Sequence, residues 1–217
     1  MHLIFLVEDK SGETALNLLV PKLISGGNTT FEIHSYKGVG HIPKNLNNQL
    51  NNKKTTLLGK LPQLLKGFEK TFQYTNYATF VVCDLDDNNL IEFKEQLQEL
   101  AGKSVAYPEK VFFCFAIEEM EAWLLGDIEA IKKAYPNSKI NILNSYMNDS
   151  ISGTWEILAD AIYKGGSRKL KNNKDYYSVG AEKISWAKNI CPYMDIDKNS
   201  SKSFNYFRKT IDIALSK

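Results

Sequence analysis

Carboxylates follow several apolar segments of this 217-residue chain, at the point where each segment ends. Glu8 comes directly after the apolar run 3–7, and Asp84 and Asp86 follow the apolar run 78–83. Short continuous apolar runs of this kind are typical of β-strands buried on both faces. Because ligands bind at the carboxyl ends of the strands in a parallel α/β sheet, we expect these three side chains to converge.

Converging carboxylates repel one another unless a cation lies between them, and hard divalent ions prefer oxygen ligands. Glu8, Asp84 and Asp86 are therefore predicted to hold Mg²⁺ or Mn²⁺, with both aspartates of the Asp-x-Asp pair reaching one ion. Such a site suits phosphoryl chemistry, in which metal ions bind a phosphodiester, activate a water molecule and stabilise the leaving oxygen.

More acids occur at predicted strand ends. Glu13 lies shortly beyond the end of the first apolar run, and Glu118, Glu119 and Glu121 follow a further apolar run, 110–117. Acids that recur at the same edge of successive strands are expected to join one acidic cluster. Helix capping or simple solvation is the competing interpretation for an acid taken singly. It applies to Asp9, Asp87 and Glu119.

The elements that must position these acids alternate along the first 126 residues. Strands are predicted at 3–7, 31–36, 78–83 and 110–117, and helices at 13–25, 57–72 and 89–101. Such alternation predicts parallel βαβ units and an α/β sandwich with a mostly parallel central sheet. The polar segment 38–55 is interpreted as a loop. Beyond residue 126 the pattern is mostly helical, at about 127–135, 154–163, 179–190 and 202–215. We therefore predict a core, 1–126, and a helical C-terminal extension packed on it, 127–217.

Composition restricts the class of protein but does not identify a function. Lys and Arg total 27 and Asp and Glu total 25, so the formal charge of +2 neither requires nor excludes a nucleic-acid partner. No run of about 18 apolar residues occurs, so no membrane span is expected. The three cysteines are far apart, and Cys83 and Cys114 lie in apolar runs. This usage is typical of buried free thiols in a reducing compartment and favours a cytoplasmic protein.

The segment 164–174, KGGSRKLKNNK, is strongly basic and is interpreted as a loop between two helices. Lys164, Arg168, Lys169 and Lys171 are suited to contacting a DNA or RNA backbone, and the two glycines allow close approach. A solvated surface loop is an equally good interpretation.

The order of a glutamate after the first strand and an Asp-x-Asp after a later strand resembles the Toprim domain. That domain is shared by topoisomerases, primases and the nucleases associated with overcoming-lysogenization-defect (OLD) ATPases. The matching segments are LIFLVEDKSGE, 3–13, and FVVCDLDD, 80–87, with Asp9 where the Toprim pattern usually has glycine. Nearly the whole chain also resembles a small bacterial Toprim-like family known only as a domain of unknown function. The segments that carry this second resemblance are 7–16, 83–87, 116–127 and 177–207.

The resemblance implies a role for each acid. In Toprim enzymes the first glutamate is a general acid or base that also contacts metal, and the Asp-x-Asp pair binds Mg²⁺. These roles carry over to Glu8, Asp84 and Asp86. In OLD-type nucleases another acid helps to hold a second metal, and Glu13 is the nearest match to it here. Glu121 is the candidate for a further ligand.

The resemblance also implies a Toprim-like (Rossmann-like) fold and a Mg²⁺- or Mn²⁺-dependent endonuclease that cleaves DNA or RNA. Similar small proteins accompany ATPases in antiphage defence loci, which implies an ATPase partner. Two alternatives stay open: a non-catalytic regulatory subunit that binds metal or nucleic acid, and a phosphoryl or nucleotidyl transferase. A homodimer is also left open. In the C-terminal segment, Lys183, Lys202 and Ser203 are suited to binding phosphate, although Lys202 and Ser203 fit a helix start better.

Overall fold

Four parallel strands form the central sheet in the computed structural model of the chain, in the order β2-β1-β3-β4. The structure describes residues 1–24, 27–43, 56–150, 153–172 and 177–216. The strands are β1 (His2–Val7), β2 (Thr30–Ser35), β3 (Tyr77–Asp84) and β4 (Val111–Ala116). Helices flank this sheet, so the prediction of a Rossmann-like α/β fold with a mostly parallel sheet is confirmed.

Ten α-helices lie within the described ranges. Short 3-10 turns at Pro108–Lys110 and Cys191–Tyr193 precede β4 and follow α9. No helix in these ranges is both long enough and apolar enough to cross a membrane. The helices are α1 (Lys10–Leu23), α2 (Leu57–Thr71), α3 (Leu90–Ser104), α4 (Glu121–Leu125), α5 (Ile128–Ala134), α6 (Ile140–Ser145), α7 (Thr154–Ile162), α8 (Gly166–Asn172), α9 (Tyr177–Ile190) and α10 (Lys202–Leu215).

The two central strands, β1 and β3, are buried on both faces, and their successive side chains point to opposite sides of the sheet. In β1, Leu3 and Phe5 belong to a hydrophobic cluster that also contains residues of α1, α9 and α10. Ile4 and Leu6 belong to a second cluster, which contains residues of α2 and α3. This two-sided burial explains why the strands have continuous apolar sequences rather than alternating ones.

Phe207 of α10 joins the C-terminal helices to the sheet. Its ring lies edge-on to Phe5 and Phe80, at centroid distances of 6.1 and 6.4 Å, and stacks on Trp123 at 4.9 Å. All four rings are fully buried. The predicted helical extension therefore shares one hydrophobic cluster with β1 and β3 of the predicted core.

A polar network fixes the start of α10. Ser201 is the N-cap, and its Oγ accepts a hydrogen bond from the N–H of Phe204 at 3.1 Å. The carboxylate of Asp149 accepts hydrogen bonds from the hydroxyls of Ser201 and Ser203, at 2.9 and 2.6 Å. The Trp123 indole also donates to Ser203 Oγ, at 3.0 Å. Ser203 therefore stabilises a helix start, as the sequence favoured.

Two local predictions need correction or restriction. The basic segment predicted as a loop contains helix α8, which begins at Gly166 with a φ of +69°. That conformation suits glycine, and a Cβ there would lie 2.5 Å from Asp160 Oδ1. The predicted loop 38–55 falls largely outside the described residues, which stop at residue 43 and resume at residue 56. The three cysteines are buried and free, as predicted.

Replacing Phe207 with alanine tests the junction between α10 and the sheet. We expect Phe207→Ala to lower the free energy of unfolding by about 3–5 kcal/mol, because it leaves a cavity among three aromatic rings. Urea denaturation measures the loss. Ile213→Ala on the same helix is the matched control, since Ile213 is 52% exposed. Equal losses for the two variants would contradict the assigned role of Phe207.

Candidate functional site

Glu8 and Asp84 leave the sheet at the same edge. Strands β1 and β3 are neighbours, and their register runs from His2 opposite Tyr77 to Val7 opposite Val82. Glu8 follows β1 directly and Asp84 is the last residue of β3. The Glu8 and Asp84 carboxyl groups lie close enough for each to affect the pKa of the other. The structure thus brings together two of the three acids that were predicted to share a metal.

The Glu8 carboxyl group has an unusual electrostatic environment. Burial raises its pKa to about 7, the charges of Asp9 and Asp86 add to the rise, and hydrogen bonds with Asp84 oppose it. Its Oε2 atom is buried and has no hydrogen-bond partner among the described residues. A buried carboxylate oxygen without a partner is costly, so this atom is a natural position for a cation or a proton.

Both aspartates of the Asp-x-Asp pair also hold protons more tightly than usual. Burial raises the pKa of Asp84 well above its ordinary range, and the charges of Glu8 and Glu121 raise it further. Burial and the neighbouring Asp87 raise the pKa of Asp86. Because each carboxyl group affects the pKa of the other, Glu8 and Asp84 titrate as a pair rather than independently.

Two backbone residues at this edge adopt the left-handed conformation. Asp86 has a φ of +47° and Glu118 has a φ of +63°, and the N–H of Asp86 donates to the Glu118 carbonyl at 3.2 Å. Non-glycine residues in this region cost free energy and persist only where surrounding contacts enforce them. The turns after β3 and β4 are therefore held against each other. This contact fixes the backbone on which Asp86 and the acids after β4 lie.

The acids after β4 have protein partners. The carboxylate of Glu118 accepts hydrogen bonds from the N–H groups of Gly153 and Thr154, both at 2.6 Å, at the start of α7. Lys183 of α9 lies 2.9 Å from Glu119 Oε1 and 3.2 Å from Glu121 Oε2. Glu118 is therefore a helix cap, and the other two glutamates share one ammonium group.

The cluster around Lys183 is almost closed to solvent. The side chain of Lys183 is 13% exposed and that of Glu121 is 3% exposed. Burial alone would lower the pKa of Lys183, but the charges of Glu121 and Glu119 raise it overall. Burial raises the pKa of Glu121 to about 7, and Lys183 opposes that rise. The raised pKa values of Lys183 and Glu121 are consistent with each other, because a single ammonium group can fully compensate the charge of only one of two carboxylates.

Lys183 was interpreted from sequence as a phosphate contact, whereas the structure places it against acids. A signal for its burial was nevertheless present. Lys183 precedes Trp186, Ala187 and Ile190 by three, four and seven residues, which is the spacing of one helix face. Those three residues are buried. A lysine on such an apolar face requires an anionic partner.

Two acids near the start of the chain have protein partners of their own. Asp9 caps α1 by accepting a hydrogen bond from the Gly12 N–H at 2.7 Å, as the competing interpretation had it. Glu13 accepts hydrogen bonds from Lys10 and from Ser35 at the end of β2. Although burial raises the pKa of Glu13, these contacts lower it overall. Glu13 is therefore held towards β2, on the opposite side of β1 from Asp84.

The carboxylates at this edge are the ligand type that hard divalent cations prefer, but the structure does not gather three of them into a ligand group. Within the described ranges, no three His, Cys, Asp or Glu side chains form a group that could hold a metal ion. Glu8, Asp84 and Asp86 nevertheless offer carboxylate oxygens, and Glu8 Oε2 has no hydrogen-bond partner in the part of the chain that the structure describes. Because the pKa values of these groups are raised, binding a cation there would release protons from them. The metal site remains a prediction that this chemistry supports.

The cationic side chains around α8 are of two kinds, those with protein partners and those exposed to solvent. Lys171 lies 2.8 Å from Glu156 Oε1 and above the ring of Trp155, so it has protein partners. Lys164, Arg168 and Lys169 are exposed to solvent. The predicted nucleic-acid contact therefore falls on these three cations, which we call the α8 basic surface.

The raised carboxyl pKa values make stability depend on pH. The folded chain binds more protons than the unfolded chain from about pH 4.5 to about pH 7, so stability falls as pH rises through this window. Each group contributes a slope of up to about 1.4 kcal/mol per pH unit. In EDTA we expect Glu8→Gln to flatten this decline, as measured by urea unfolding at a series of pH values. Glu92→Gln, at an exposed acid of α3, is expected to keep the wild-type slope. A wild-type slope in Glu8→Gln would contradict the burial assigned to Glu8.

Comparison with known proteins identifies a family and no function. No curated protein and no solved structure matches the chain. A family model described as a domain of unknown function, DUF4276, matches residues 7–212. The match includes all four strand ends and the helix that carries Lys183. The chain belongs to the DUF4276 family.

Proposed function

We propose that the chain is a Mg²⁺- or Mn²⁺-dependent nuclease of the Toprim type that cleaves phosphodiester bonds of DNA or RNA. The observation that carries the proposal is the placement of Glu8 and Asp84 at the ends of two neighbouring parallel strands, at the carboxyl edge of the sheet. Burial there raises the pKa of Glu8 to about 7. A group that titrates near neutral pH can both take and give a proton under physiological conditions.

In this proposal Glu8, Asp84 and Asp86 supply the oxygen ligands. A bound divalent ion would supply positive charge next to a phosphoryl oxygen. Glu8 would take a proton from the attacking water or give one to the leaving oxygen, and its Oε2 atom has no hydrogen-bond partner among the described residues. Asp84 would adjust the proton affinity of Glu8, because the two carboxyl groups affect each other's pKa.

The proposal extends to partners through the Toprim resemblance. A cytoplasmic ATPase would control the nuclease in an antiphage defence system, and the α8 basic surface would contact the nucleic-acid backbone. The exposure of Lys164, Arg168 and Lys169 supports that contact, since phosphate binding requires accessible cations.

Cleavage assays with site variants test the proposed chemistry. We expect purified protein, alone or with its ATPase partner, to cut DNA or RNA with Mn²⁺ or Mg²⁺ and to be inactive in EDTA. Glu8→Gln and Asp84→Asn are expected to lower the cleavage rate at least about 10²-fold, because each removes a carboxylate that moves a proton or binds the ion.

Glu92→Gln is the matched control and is expected to cleave at the wild-type rate, since Glu92 is an exposed acid of α3. A wild-type cleavage rate in Glu8→Gln would contradict the role assigned to Glu8. Metal binding without cleavage, under every activating condition, would favour the non-catalytic regulatory subunit instead. Metal-dependent transfer of a nucleotide would favour the transferase.

Salt titration of nucleic-acid binding tests the α8 basic surface. Each phosphate contact adds about 0.9 to the slope of log K against log salt on duplex DNA. We expect Arg168→Gln/Lys169→Gln to reduce that slope by about 1.8, measured by fluorescence anisotropy on a labelled duplex. Lys132→Gln is the control, because Lys132 pairs with Glu129 on the surface of α5. An unchanged slope in the double variant would place the nucleic acid elsewhere.

A further inference from the structure

The acids at the carboxyl edge of the sheet form two groups with different partners. Glu8 lies beside Asp84, and its Oε2 atom has no hydrogen-bond partner among the described residues. Glu119 and Glu121 instead lie 2.9 and 3.2 Å from the Lys183 ammonium. Within the described ranges the first group forms no ion pair with a cation, whereas the second is already paired with one.

We propose that Lys183 is an internal cation that takes the place of a second metal ion, so that the site binds a single divalent cation. This inference rests on the proposed function, because it concerns the number of ions at the same site. It makes Lys183 a positioning residue and removes Glu121 from the metal ligands that the sequence suggested.

Burial is the first reason for this assignment. The side chain of Glu121 is 3% exposed and that of Lys183 is 13% exposed, so water cannot screen or replace their ion pair effectively. Glu121 Oε2 has no hydrogen-bond partner to supplement that ion pair. A buried carboxylate requires a compensating positive charge, and the ammonium group supplies it. A metal ion at Glu121 would have to displace a cation that two carboxylates already hold.

The position of α9 is the second reason. Lys183 lies on the helix face that carries Trp186 and Ile190, and both of these residues are buried. That face packs in the cluster that also contains residues of α1 and β1. The anchoring residues therefore keep the ammonium at the acidic edge, where its charge also acts on Asp84. Lys183 is a fixed part of the site rather than a mobile surface cation.

Counting bound ions tests the inference without an activity measurement. Isothermal titration of the whole chain with Mn²⁺, checked by electron paramagnetic resonance, is expected to give one ion per wild-type chain. Lys183→Met frees two carboxylates, so we expect it to bind two. Lys132→Met removes an exposed lysine that is paired with Glu129, and it is expected to bind one ion.

A second variant keeps the test decisive if Lys183→Met folds poorly. Removing one member of a buried pair is strongly destabilising, and we expect the Tm of Lys183→Met in EDTA to fall by about 10 °C. Mn²⁺ should restore most of this loss by binding the freed carboxylates. Lys183→Met/Glu121→Gln removes both charges, so it is expected to recover stability in EDTA and to bind one ion.

The outcomes separate this inference from the proposed function. Two ions on the wild-type chain, or one ion on Lys183→Met with no stabilisation by Mn²⁺, would overturn the role of Lys183 and leave the nuclease proposal standing. No Mn²⁺ on any of the variants or on the wild-type chain would instead overturn the metal-dependent function. One ion on the wild type, two on Lys183→Met and one on the double variant would support both.

Discussion

The ion pairs of Lys183 with Glu119 and Glu121 connect α9 to the turn after β4, and the acidic edge of the sheet depends on them. Parallel strands end at one edge, so a chain that places acids after successive strands gathers like charges in one region. The resulting repulsion must be offset by protons, by an internal cation or by a bound ion. Burial and like charge raise the pKa values of Glu8 and Asp84 and so favour their protonated forms, and Lys183 compensates the glutamates after β4.

This electrostatic requirement also explains why the helices after β4 are integral to the candidate site. Lys183 can reach the acids only if α9 packs beside α1, and their side chains share a hydrophobic cluster. Phe207 then closes the same cluster over β1 and β3. The boundary drawn from sequence at residue 126 separates two patterns of secondary structure, while apolar burial and ion pairing both cross it. Packing and charge compensation are thus achieved by the same helices.

Sequence patterns predicted the sheet and the edge of the site well, because both follow from local rules. Apolar runs identified three of the four strands and an alternating pattern identified β2, and parallel topology required Glu8 and Asp84 to leave the same edge. Helices α4 and α6 were not predicted, since five or six residues are too few to establish a helical period. Helix α8 was missed because its glycines and lysines resemble a loop.

Local sequence patterns could not predict the partners of individual acids. The contact between Lys183 and Glu119 spans 64 residues of sequence, so no spacing rule connects the two. Glu13 lies at a helical position that suits a metal ligand, yet its carboxylate accepts a hydrogen bond from Ser35 on a neighbouring strand. Asp9 could be assigned as a cap because its partner, Gly12, is three residues away. Predictability of the site therefore decreased as the sequence distance between partners increased.

The order of elements along the chain has a consequence for biosynthesis. All four strands and every acid of the edge emerge from the ribosome before Lys183, and Phe207 emerges later still. Until then the sheet has an uncovered apolar face and the edge carries uncompensated negative charge. A fragment that stops short of α9 therefore lacks both the ammonium group that compensates Glu119 and Glu121 and the helices that complete the hydrophobic cluster. The late position of Lys183 thereby links charge compensation at the acidic edge to translation of the segment that folds over it.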